Sequence, residues 1–109
     1  MTDEFVPGDL PEHVERVLSL VERIPPGRVM SYGAVAEAVR ELGGRATART
    51  VGSVMARYGG AVAWHRVVNS VGRLPPGHED RARDLLRAEG VAFRGAYVDM
   101  RAAAWFPPL

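Results

Sequence analysis

One hundred and nine residues, 47% of them hydrophobic, can build one core, which makes one domain the expectation. No apolar run approaches the roughly 20 residues of a membrane span, and the acidic start Met1-Thr2-Asp3-Glu4 is no signal peptide, so a soluble intracellular protein is expected. Cysteine is absent, which excludes disulfides, thiolate metal sites and thiol nucleophiles together; the formal net charge is only +1, and all 14 basic residues are arginine.

The first predicted element is a helix. Leu10, Val14, Val17, Leu18, Val21 and Ile24 recur at helical spacing. Asp9 is expected to cap it, with Glu12 completing a capping box and Pro11 in the first turn, and Pro25-Pro26-Gly27 ends it. After a short extended piece, Arg28-Val29-Met30, Ser31 is the expected N-cap of a second helix with Val35, Ala38, Val39 and Leu42 on its apolar face. Gly43-Gly44 stops it. Thr47 caps a third helix carrying Val51, Val54, Met55 and Tyr58, which Gly59-Gly60 stops. Two short helices joined through glycines have the spacing of a helix-turn-helix.

The other face of the third helix consists of Ala48, Arg49, Gly52, Ser53 and Ala56. Glycine costs about 1 kcal/mol against alanine in a helix interior, so a stripe this small needs a reason. Either the face packs against the protein's own core, or it lets the helix backbone approach an external surface closely. Ser53 and Arg49 favour the second. From Leu42 to His78 there are five arginines, two histidines and no Asp or Glu. A stretch without carboxylates suits a polyanionic partner, because a carboxylate there would repel phosphate.

Ala61 to Asn69 reads as a buried turn and short strand, with Val71-Gly72-Arg73-Leu74 as the return of a hairpin. Pro75-Pro76-Gly77 opens a loop, and a fourth helix follows from about Glu79 to Glu89, stopped by Gly90. Val91-Ala92-Phe93 reads as a short strand. The core is expected over about 9–95, and an apolar tail at 96–109 (Tyr97, Val98, Met100, Trp105, Phe106) to pack back on it.

The densest polar group is Trp64-His65-Arg66 with Asn69, set among valines and alanines. Buried, these side chains need hydrogen-bond partners, as structural networks and catalytic sites both provide. His13, His65 and His78 lack metal-ligand spacing, so neither metal nor cofactor is expected.

Four blocks in order then carry a resemblance: Ile24 to Gly33, Ala48-Arg49-Thr50-Val51-Gly52, Trp64-His65-Arg66-Val67-Val68, and Leu85 to Val91. Together they resemble the C-terminal domain of the O6-alkylguanine-DNA alkyltransferases, from about Pro11 to Phe93. Trp64 stands where those enzymes carry their alkyl-accepting cysteine, and Ala63 where proline usually precedes it. The chain is therefore most similar to the alkyltransferase-like proteins, which lack that cysteine. The resemblance implies a mainly α domain with a small β-hairpin, a winged-helix-like helix-turn-helix of the alkyltransferase C-terminal type. It also implies a monomer that binds and flips O6-alkylguanine in duplex DNA without removing the alkyl group. Such a protein would mark the lesion for nucleotide-excision repair, in the cytoplasm or nucleoid.

By the same resemblance, Thr47, Ala48, Arg49, Gly52 and Ser53 meet the minor groove, and Arg49 fills the gap left by the flipped base. Tyr32 rotates the nucleotide and borders the base pocket. Trp64 lines that pocket, with the main-chain carbonyls of Trp64 and Val67 accepting from the guanine edge. Arg73 is the expected contact from the loop after Asn69. His65, Glu89 and Asn69 are expected as structural remnants. A helix-turn-helix regulator without lesion specificity is the alternative, but its third helix would want exposed polar side chains to read bases.

Overall fold

The computed structural model describes residues 10–108. In chain order it has α1 (Glu12–Glu22), β1 (Met30–Ser31), α2 (Tyr32–Glu41) and α3 (Ala48–Tyr58). There follow 3-10 turns at Gly59–Ala61 and Trp64–Arg66, β2 (Val67–Val68), α4 (Glu79–Ala88), β3 (Phe93–Arg94), β4 (Tyr97–Val98) and α5 (Met100–Ala103). The mainly helical class with a small hairpin, and the helix-turn-helix pair α2–α3, are as expected.

α1 starts later than its pattern suggested. Pro11 sits in the cap position rather than in the first turn and offers no side-chain bond; the expected Asp9 cap lies outside the described residues. α2 and α3 begin at the expected caps. Ser31 Oγ accepts from the Ala34 N–H at 3.0 Å. Thr47 Oγ1 accepts from the Thr50 N–H at 3.1 Å, while Thr50 Oγ1 accepts from the Thr47 N–H at 2.9 Å, a reciprocal capping box. The Arg40 guanidinium donates to the Ala46 carbonyl at 2.7 Å and fastens the turn between these helices. Gly59 ends α3, and the chain then runs on into a 3-10 turn rather than into an open loop.

The strand pairing departs from expectation. Val67–Val68 does not form a hairpin with residues 71–74; it pairs in parallel with Met30–Ser31, in the register Met30↔Val67 and Ser31↔Val68. The antiparallel hairpin is β3–β4, further along the chain. Residues 69–73 instead form a tight turn in which Asn69 Oδ1 accepts from the N–H groups of Val71 and Arg73 at 3.0 and 2.8 Å. Its Gly72 has φ +90°, and its carbonyl accepts the Val98 N–H at 2.9 Å. A Cβ at Gly72 would stand 2.2 Å from the Val98 carbonyl oxygen, so no other residue fits this crossing.

The small parallel ribbon divides the interior. Successive strand side chains point to opposite faces. Met30 and Val67 accordingly enter one cluster, with Val14, Val17, Leu20, Val35, Val39, Val51 and Val54 from the first three helices. Val29 and Val68 enter the other, with Leu74, Ala82, Leu86, Val91, Val98 and Ala103. The tail belongs to this architecture: Val98 and Ala103 are buried, and Ala104 extends the ribbon through a parallel bridge to Val29. Arg28 clamps that junction by donating to the Ala103 carbonyl at 3.1 Å and to the Ala104 carbonyl.

Candidate nucleic-acid interface

The capping box of α3 decides what its first turn shows to solvent. Ala48, Arg49, Ser53 and Ala56 are exposed and Gly52 is half-buried, while Val51 and Val54 point into the core. The small-residue stripe is therefore an outer face, and packing against the protein's own core is not its explanation. A Cβ built on Gly52 meets nothing within 4 Å. Arg49 makes no hydrogen bond or ion pair to any other described residue.

Gly52 and Ala56 also form one wall of a cavity of about 780 Å³. Tyr32, Met55, Gly59, Gly60, Trp64, Pro75, Pro76, His78 and Arg81 complete the lining. Tyr32 is the first residue of α2, held there by the Ser31 cap, and burial raises its hydroxyl pKa. Trp64 stands in the second 3-10 turn, edge-on to His65 at 5.8 Å and to His78 at 5.6 Å between ring centroids. The Trp64 carbonyl accepts the Val67 N–H and keeps a second lone pair.

The turn carrying Trp64 is tied down by Glu89, at the end of α4. Its carboxylate accepts from His65 Nε2 at 2.9 Å and from the Arg66 guanidinium at 2.7 to 3.2 Å. It also accepts from the Gly27 N–H at 2.9 Å, and Arg66 donates on to the Ile24 carbonyl at 3.0 Å. One carboxylate thus joins α4, the turn bearing Trp64 and the loop before β1. Gly27 takes φ +89° to aim its N–H there, a conformation that glycine adopts without strain. His65 is buried; with Nε2–H donating to Glu89, its Nδ1 has no partner among the described residues.

Burial opposes ionisation of Glu89, but the Arg66 guanidinium, the Gly27 N–H and His65 outweigh it and bring the pKa from an ordinary 4.5 to about 2. The folded pKa lies below the unfolded one, so the stabilisation is complete above about pH 5 and is lost as the pH falls towards 2. Screening by the exposed part of the site leaves roughly 1–2 kcal/mol of the shift as stability. Thermal melting from pH 7 to 2 is expected to fall below pH 5, and Glu89→Gln to remove most of that dependence; parallel pH profiles for the two proteins would contradict the assignment.

Of the residues expected at the site, Tyr32, Gly52 and Trp64 meet in the cavity, while Thr47, the cap of α3, and Ala48, Arg49 and Ser53 within it are exposed. The Val67 side chain is buried in the first core cluster and lies outside the cavity lining. Arg73 is not among the cavity-lining residues; its guanidinium donates to the Tyr97 hydroxyl at 3.1 Å. The Asn69 turn directs it there. From the segment that follows it, Pro75, Pro76, His78 and Arg81 line the cavity. His78 closes the carboxylate-free stretch and Arg81 follows three residues later, but nothing local to either marked it as facing Trp64.

Comparison with known proteins follows the same lines. The family model described as 6-O-methylguanine DNA methyltransferase, DNA binding domain, matches residues 12–91. A DNA base-flipping protein of Escherichia coli is 38% identical over 96 residues, covering 84% of this chain and 72% of that protein. Alkyltransferase-like protein 1 of Schizosaccharomyces pombe is 37% identical over 86 residues, covering 73% and 77%. The crystal structure of that yeast protein in complex with damaged DNA containing O6-carboxymethylguanine superposes with a TM-score of 0.73 at 31% identity, over 90% of this chain and 98% of that one. The Mycobacterium tuberculosis O6-methylguanine methyltransferase gives a TM-score of 0.61 at 31% identity, over 73% of this chain and 49% of its own length.

Proposed function

The chain belongs to the family of the 6-O-methylguanine DNA methyltransferase DNA-binding domain, and from that membership we propose that it recognises O6-alkylguanine in duplex DNA, turns the base out of the stack and holds it without removing the alkyl group. The observation that carries this reading is the place of Trp64, in the wall of a cavity that shares Gly52 and Ala56 with an uncovered helix face. An indole N–H donates a hydrogen bond and is no nucleophile at neutral pH, and the chain has no cysteine. Binding remains where transfer has no acceptor.

In this reading the small side chains of α3 let its backbone approach the minor groove, and Arg49 enters the base stack from the first turn. Tyr32 crowds the target nucleotide and Trp64 gives the extruded base an apolar wall. The carbonyls of Trp64 and Val67 accept from the guanine edge. Extrusion costs a few kcal/mol of unstacking and pairing, least at a poorly paired lesion, and that difference itself selects damage. A binder with no chemistry of its own acts by marking the site. Its output lies in recruiting nucleotide-excision repair, at the DNA in the cytoplasm or nucleoid.

Fluorescence anisotropy with duplexes that differ only in one O6-methylguanine is expected to show tighter binding to the lesion. After incubation the alkyl group stays on the DNA and the intact mass of the protein is unchanged. Affinity falls with added salt as counterions return to the phosphates. Equal affinity for the two duplexes, or recovery of unmodified guanine, overturns the proposal.

A further inference from the structure

The cavity is larger than a methylated base requires, and two basic side chains, His78 and Arg81, line it. Pockets of about 300–1,000 Å³ take whole drug-sized ligands, so a guanine in this one of about 780 Å³ leaves room for a sizeable substituent. Most of the lining is apolar or glycine, but Arg81 and His78 belong to it as well, and no Asp or Glu lines the cavity. α4 does carry carboxylates, at Glu79, Asp80 and Asp84, all outside the lining. Asp80 is engaged by Arg83 at 3.0 Å. Arg87 lies over the Phe93 ring at 5.3 Å. Arg81 has no ion-pair partner among the described residues, so of the arginines on this helix it is the one presented to the cavity with its charge uncompensated.

Resting on the lesion-binding reading above, we propose that Arg81, with His78 beside it, makes this site prefer O6-substituents that end in a carboxylate over neutral substituents of the same size. The guanidinium fork matches a carboxylate with two parallel N–H donors, and a charge-assisted pair is stronger than a neutral one. A neutral group of equal size would gain the apolar contacts with Trp64 and Pro75 but not the ion pair. Because the wall is open to solvent, the preference is modest, about three- to tenfold.

The test compares duplexes carrying O6-carboxymethylguanine and O6-carbamoylmethylguanine, which differ in charge and hardly in shape, at one salt concentration. The parent protein is expected to bind the carboxymethyl duplex about three- to tenfold more tightly. Arg81→Gln combined with His78→Gln brings the ratio to about one, and Arg81→Lys keeps part of it. A parent ratio at or below one overturns the proposal. So does a ratio unchanged in the double variant, which is what results if Arg81 serves only a DNA phosphate and weakens both complexes alike. An O6-methylguanine duplex run alongside tests the lesion reading separately: loss of its advantage over plain guanine sinks that reading, whatever the charged and neutral pair show.

Discussion

Arg49→Ala is expected to weaken binding to an O6-methylguanine duplex by about 1–3 kcal/mol, roughly five- to 150-fold in Kd. In the proposed complex the guanidinium replaces the extruded base in the stack and places a cation among phosphates; alanine does neither. The free protein loses almost nothing. Arg49 is exposed in the first turn of α3 and has no partner among the described residues, and alanine is the better helix former. An unchanged melting temperature beside a weakened complex therefore locates the effect in recognition. The lesion duplex should lose more than the plain one, and the salt slope should fall by about one. A variant that binds the lesion as tightly as the parent would falsify the role given to Arg49.

Removing the carboxylate at position 89 acts on the protein itself. Glu89→Ala strips the acceptor from Arg66, His65 and the Gly27 N–H at once and leaves a guanidinium with 16% side-chain exposure unpaired. Breaking a buried pair by removing one partner costs about 3 kcal/mol or more. In a domain of this size that lowers Tm by roughly 10–20 °C. Glu89→Gln, which keeps an acceptor oxygen and the volume, should lose clearly less. Because Glu89 fastens the turn that carries Trp64, lesion affinity should also fall in any Glu89→Ala protein that remains folded. A Tm within a few degrees of the parent would show that the network adds little to holding this wall.

Trp64 and Glu89 also show how far the residues could be read in order. The helices of the first half are written locally. Ser31 and Thr47 each have their capping partner three residues away, and the valines recur at the spacing of one buried face. The small stripe on α3 was legible as a pattern, but two opposite outcomes fitted it until the exposure of Ala48, Ser53 and Ala56 was known. Two-residue strands have too little periodicity to announce themselves. Local pattern therefore assigns Val67–Val68 to a hairpin with its neighbours, whereas its partner lies 37 residues earlier in β1.

By itself, then, the amino-acid sequence determined the capped helix-turn-helix, the carboxylate-free middle third, the absence of any thiol and the indole at position 64. These rest on side-chain chemistry or on bonds spanning three or four residues, and both are visible in a short window. Only the tertiary structure decided that β1 pairs with β2, that Glu89 reaches back 62 residues to Gly27, and that Arg73 turns to Tyr97 while His78 and Arg81 face the cavity. The reason is physical. Each of those contacts joins segments far apart in the chain, and which partners meet is set by how two hydrophobic clusters pack on either side of one short parallel ribbon, a choice that no single segment encodes.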